Sequence, residues 1–130
     1  MTIRNFAQLI EAALERGPRR VAIVGGGQRH TLRAVRMARS MGLANCILID
    51  GRDRLRAIAE EVGLDLTGVE TIEEEDMVEA AYKAAAMIHA GEADLLMNGR
   101  ALPAELMQAA LDREKGLRIG RLMSEVTVFE

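Results

Sequence analysis

Cysteine is nearly absent from this chain, with Cys46 alone among 130 residues, so no disulfide can form within it. Cys46 sits in the apolar run Cys46-Ile47-Leu48-Ile49, where the expected role is that of a small buried hydrophobe. Long apolar runs are missing as well. Stretches such as Ala84 to Ile88 fall far short of the roughly 20 residues a membrane helix needs. The start, Met1-Thr2-Ile3-Arg4-Asn5, lacks the apolar segment behind a basic end that marks a secretory leader. No continuous Lys or Arg tract occurs and the formal net charge is −3, which argues against nucleic acid and membrane as partners. Repeats, low-complexity tracts and His/Cys/carboxylate groups at metal-ligand spacing are likewise lacking, so no metal is expected. A soluble, cytoplasmic protein is the expectation these absences leave.

What is present is enough for one core. With 49% hydrophobic residues over 130 positions, the chain can bury a single core, giving one domain over 1–130. Phe6, Leu9, Ile10, Ala13 and Leu14 recur at helical spacing, with Asn5 as cap and Gly17-Pro18 as stop. Val21 to Val24 predicts a strand, followed by Gly25-Gly26-Gly27 and a helix from about Arg29 to Met41, ended by Gly42. Cys46 to Ile49 predicts the next strand, Leu55 to Val62 a helix, and Val69 to Ile72 a weak strand. Asp76 and Glu79 open a helix that carries Met77, Ala80, Ala81, Ala84 and Ile88 on one side and ends at Gly91. Asp94 to Met97 forms a further strand, Pro103 to Arg113 the last helix, and Val126 to Phe129 a final strand. Strands that do not alternate with polar residues, separated by helices, give an α/β protein: a three-layer α/β/α arrangement with a mainly parallel sheet. The final strand would sit at a sheet edge with nothing after it, so a partner or a missing second half is expected.

In such sheets ligands bind beyond the carboxyl ends of the strands. Three loops qualify: Gly25-Gly26-Gly27-Gln28, Asp50-Gly51-Arg52 and Asn98-Gly99-Arg100. Glycines there either admit a phosphate close to the backbone and the next helix's amides, or simply make a tight turn. Gly25-x-Gly27 with Asp50 begins a dinucleotide fingerprint, but His30 stands where the pattern needs Gly or Ala, which leaves a glycine turn and a chance acid. Arg29, Arg33 and Arg36 share a helix face opposite Leu32, Val35 and Ala38 and are expected in solvent, Arg29 alone standing beside the glycine loop. His30 and His89 lack motif partners, and the acids Glu73-Glu74-Glu75-Asp76 suit a solvated helix N-terminus.

From Ala93-Asp94-Leu95-Leu96-Met97 onward, and most specifically in Asp112-Arg113-Glu114-Lys115-Gly116-Leu117-Arg118-Ile119-Gly120-Arg121-Leu122-Met123-Ser124-Glu125-Val126-Thr127-Val128-Phe129-Glu130, the chain resembles the phosphate acetyl/butyryltransferases. The butyryltransferase branch is the nearer. Phe6-x-x-Leu9-Ile10, Val21-Ala22 and Ala57 to Leu66 extend the likeness over nearly the whole chain. The resemblance implies a fold like that of isocitrate and isopropylmalate dehydrogenases and reversible acyl transfer between CoA and phosphate, with short acyl groups such as acetyl or butyryl. CoA would be a substrate, with no tightly bound cofactor, and a homo-oligomer or pairing at the C-terminal strand edge is expected. The chain would correspond to the family's N-terminal portion, inactive without the second half, which supplies the acid/base and several phosphate contacts. By that resemblance the wall it offers comprises Gly99, the start of the following helix, Arg118, Arg121 and Ser124; Gly25, Gly26, Gly27, Asn98, Arg100 and Gln108 join them as candidate substrate, phosphate or CoA contacts, and no catalytic residue is assigned.

Departures from the family pattern fall where function is expected. The family's Lys before the loop glycine is Asn98, a Thr is Pro103, an Arg is Gln108, and the His after the serine is Glu125. Lost cations weaken an acyl-phosphate site, although Arg100 stands close enough to restore one. The alternative expectation is a noncatalytic α/β module that binds a phosphorylated or CoA-like ligand or regulates a partner protein.

Overall fold

A computed structural model describes residues 2–118. The strand expected at Val126 to Phe129 lies outside the described residues. Among the described residues nine elements follow in order: α1 (Phe6–Glu15), β1 (Arg19–Val24), α2 (Arg29–Ser40), β2 (Ala44–Asp50), α3 (Arg52–Val62), β3 (Glu70–Glu73), α4 (Met77–His89), β4 (Leu95–Asn98) and α5 (Pro103–Ala110). The strands form one parallel sheet in the order β3-β2-β1-β4. Val21 pairs with Cys46 on one side and with Leu95 on the other, which puts β1 at the centre.

Two apolar layers sandwich this sheet. Val21, Ile23 and Leu48 face Leu32 and Val35 of α2 and Leu55, Ala59 and Val62 of α3. Ala22, Val24, Ile47 and Ile49 turn to the opposite face and meet Ala80, Ala81 and Ala84 of α4 and Ala109 of α5. Covering both faces explains why β1 and β2 carry unbroken apolar runs. The architecture is three-layer α/β/α.

Local chemistry sets the helix ends. Asn5 Oδ1 accepts from Gln8 N–H at 2.9 Å and opens α1, which buries none of its residues fully. Asp76 Oδ1 accepts from Val78 N–H at 2.9 Å and Glu79 N–H at 3.1 Å; Asp76 N–H in turn donates to Glu74 rather than to Glu79. Asp76→Ala is expected to cost about 1 kcal/mol, seen as a lower urea midpoint, whereas Asp76→Asn should retain most of the stability. α5 ends at Ala110, short of the expected Arg113. Asp112 Oδ1 accepts from the N–H groups of Glu114 and Lys115 at 2.9 and 2.8 Å, and this side-chain turn replaces another helical turn.

Candidate functional site

The strand order contains a reversal. The chain steps outward from β1 to β2 to β3, then crosses back to place β4 on the other side of β1, so the loops after β1 and β4 lead to helices on opposite faces. A crevice at such a switch point is the usual ligand position in an open parallel sheet. The β1–α2 loop Gly25–Gln28 and the β4–α5 loop Gly99–Leu102, with Asn98 at the end of β4, border it, and the β2–α3 turn at Gly51 lies beside them.

Asp50, the last residue of β2, stitches the three loops together. Its side chain is fully buried, and each carboxylate oxygen accepts two donors. Oδ2 takes Gly27 N–H at 2.9 Å and Arg100 Nε–H at 2.8 Å; Oδ1 takes Gly51 N–H at 2.8 Å and Arg100 Nη2–H at 2.7 Å. Burial alone pushes the carboxyl upward and is the largest single influence, but Arg100 and the Gly51 and Gly27 amides together outweigh it, so the pKa lies below the ordinary carboxylate value. Arg100 is held charged, chiefly by Asp50, with Glu75 and Glu105 adding to the effect.

Glycine is required where the loops touch. Gly25 has φ +73°, and an added Cβ would lie 2.7 Å from Arg100 Cγ and 2.8 Å from Met77 Sδ. At Gly99 a Cβ would fall 2.1 Å from the Gly25 carbonyl oxygen, which itself accepts from Arg100 N–H at 2.8 Å. The glycines therefore serve first to let loop pack against loop. Gly25, Gly26 and Gly27 are all buried.

Of the residues expected at the site, Gly25, Gly26, Gly27, Asn98, Gly99 and Arg100 are brought together. Asn98 Nδ2 donates to Ala101 O at 3.0 Å, and its buried Oδ1 has no hydrogen-bond donor among the described residues. Gln108 lies five residues down α5 from Pro103, about 8 Å below the rim, and interacts with the Tyr82 hydroxyl. Arg118 is not brought to the loops. It follows Leu117, whose N–H donates to Ala110 O, and Gly116, whose carbonyl meets His89 Nε2 at 2.6 Å. His89 closes α4, the far end of that helix from Met77. Arg121 and Ser124 lie outside the described residues.

Asp50, in one of the three loops named from sequence but there only a chance acid of the dinucleotide pattern, is the residue that joins them. Its signal was available: an ionisable group ends an apolar strand between two glycine loops, a position that burial makes costly unless partners are provided. The α2 arginines are exposed, as expected, and three of them also make polar contacts. Arg29 pairs with Glu61, Arg36 donates to Val62 O, and Arg39 donates to the carbonyls of Asp65 and Thr67. They fasten α2 to α3 and the turn after it.

A hollow of about 250 Å³ opens at the opposite, amino edge of the sheet, lined in part by Arg20, Arg39, Asn45, Cys46 and Glu92. Both of its arginines are occupied, Arg20 by Asp94 and Gly91 O. Cys46 is partly buried there, and desolvation raises its thiol pKa, the opposite of what a reactive thiolate needs. The carboxyl edge is the better candidate. Among the described residues no helix is long and apolar enough to cross a membrane.

No family model matches the chain. By sequence it is 34% identical over 128 residues to the phosphate butyryltransferase of Clostridium acetobutylicum, covering 98% of this chain and 42% of that protein. It is 32% identical over 127 residues to the phosphate butyryltransferase of Clostridium beijerinckii, with the same two shares, and 32% identical over 126 residues to a phosphate acetyltransferase of Rhizobium meliloti, covering 97% and 40%. The chain thus spans about two fifths of the length of these curated relatives, consistent with an N-terminal portion of that family. Among solved structures, the EutD phosphotransacetylase of Staphylococcus aureus superposes with a TM-score of 0.64 at 16% identity, covering 78% of this chain and 40% of that one. A branched-chain phosphotransacylase of Enterococcus faecalis gives 0.56 at 21% identity, covering 72% and 33%. These two likenesses concern the fold.

Proposed function

We propose that this chain, similar almost end to end to part of the phosphate acetyl/butyryltransferases, works as one portion of a phosphate acyltransferase. The protein would exchange a short acyl group between CoA and phosphate, with CoA a substrate and no cofactor held tightly. The observation that carries this is the 34% identity to a phosphate butyryltransferase over 98% of the chain. The switch-point crevice supports it by supplying one wall of a ligand cleft.

Acyl transfer needs its two reactants held against each other, cations for phosphate and donors for the developing oxyanion. In this reading the buried glycine loop and Asn98, Gly99 and Arg100 shape the wall, with Gln108 below it. Arg118, Arg121 and Ser124 are proposed contacts on the family likeness alone. Arg100 brings no free charge to the phosphate, because it faces Asp50, Glu75 and Glu105, so that charge would come from Arg118, Arg121 and the remaining polypeptide. That same neutralisation favours a second reading, a noncatalytic module binding a CoA-like or phosphorylated ligand or regulating a partner.

One assay separates them. The protein as its source cell makes it should release CoA from butyryl-CoA or acetyl-CoA only when phosphate is present, and the chain of 130 residues alone should not. Phosphate-independent release, or none from the native protein, removes the acyltransferase reading. Light scattering on the same preparation reports whether the protein is a homo-oligomer.

A further inference from the structure

The Gly27 amide, the Gly51 amide and the Arg100 guanidinium converge on one point, and four N–H groups meet there within 2.7–2.9 Å of two oxygens. Backbone amides at successive loops with a bidentate arginine are the donor set used to hold phosphate or carboxylate ligands. Here the anion is part of the chain. Asp50 contributes it from a fully buried position, reached from the end of the central strand pair β1–β2. Glu75 and Glu105 also face Arg100, and the stem of Arg54 lies over Gly27 beside the carboxylate.

We propose that Asp50 is a positioning residue: its carboxylate is an internal anion that fills a ready-made anion cradle and thereby locks the three loops at the switch point. The loops are organised before any ligand arrives, and a phosphoryl group does not take the cradle while Asp50 is in it. The clasp stands on the geometry alone. Only its consequence, that phosphate is gripped by other parts of the protein, rests on the acyltransferase reading.

If the cradle is a true anion site, emptying it should make it fill from solution. Asp50→Ala removes the carboxylate and leaves space for formate, which has the size of the lost group. Sodium formate at about 100 mM should raise the melting temperature of D50A by several degrees above the value in sodium chloride of equal ionic strength. The native protein should show no such difference, because its cradle is occupied. The Gly27 and Gly51 amide resonances of D50A should shift with formate in a saturable manner. A folded D50A that treats formate and chloride alike, or a native protein that responds as strongly, overturns the proposal.

Asp50→Asn provides a second test should D50A fail to fold. The amide is nearly isosteric but presents one acceptor oxygen in place of two and carries no charge. Hydrogen exchange at the Gly27 or Gly51 amide should then accelerate about tenfold or more, whereas unchanged protection at both amides would sink the clasp. Neither measurement depends on acyl transfer, so a failed CoA-release assay and a failed formate experiment are separate results.

Discussion

Replacing Arg100 by methionine is expected to destabilise the protein by about 3 kcal/mol near neutral pH, because it leaves a buried carboxylate without its cation. The lower part of the range for broken buried pairs is apt, since the Arg100 side chain is 25% exposed and two backbone amides still reach Asp50. The pH dependence has a definite sign. In the native protein the Asp50 pKa is lowered, so its contribution is full above the ordinary carboxyl value of about 4 and is lost as pH falls through the lower folded value. In R100M, burial acts without the guanidinium to oppose it, and the folded pKa moves upward. Protonation then relieves the variant before it harms the native protein. The gap between the two in urea unfolding should be widest near neutrality and should narrow on acidification. A gap independent of pH would show that Arg100 stabilises by packing and not through the Asp50 charge.

Gly99→Ala should be comparably severe for a different reason. Its new Cβ would meet the Gly25 carbonyl oxygen at 2.1 Å, the Gly25 carbonyl carbon at 2.7 Å and the Val24 oxygen at 3.0 Å. All three are backbone atoms of the central strand and its loop, and no side-chain rotation can clear them. Relief requires β4 and its loop to move off β1, breaking Gly99 N–H to Val24 O and Arg100 N–H to Gly25 O, both 2.8 Å. Overpacking of this kind costs about 3 kcal/mol or more. Gly42→Ala is the matched control. Gly42 has φ +71° but nothing within 4 Å of an added Cβ, so it should cost only the roughly 1 kcal/mol of left-handed strain. Urea midpoints of the two variants distinguish steric closure from backbone strain, and equal losses would contradict the close approach described for Gly99.

The fold was largely legible because its signals are local. The apolar runs at Val21–Val24 and Cys46–Ile49 and the glycine stops at Gly42 and Gly91 each act within a few residues, and the elements fall where they indicate. The short end of α5 was not, because it depends on Asp112 competing for the amides of the next turn. At the site, the loops were legible and their wiring was not. Arg100 and Asp50 are 50 residues apart, and only the parallel register of β2, β1 and β4 makes them neighbours. Arg118 shows the converse: a residue belonging to the most family-like stretch sits by the closing turn of α4, away from the glycine loops.

The alanines of α4 have an effect on how the protein tolerates change. Ala80, Ala81, Ala84 and Ala85 have no exposed surface at all, and the first three pack directly on Ala22, Val24, Ile47 and Ile49. Alanine freezes no rotamer on folding, so these four positions are ordered at little entropic cost and have no side-chain slack, the volume of this layer coming from Val24, Ile47, Ile49, Met77 and Met87. The opposite face, built from Leu32, Leu48 and Leu55, is vulnerable to truncation and has methylenes to lose. At the four alanines of α4 the asymmetry reverses: there is little volume left to remove, and each added carbon must be accommodated by shifting the helix. Natural variation at α4 should therefore be confined to residues no larger than those already present, while the leucine face exchanges one branched side chain for another.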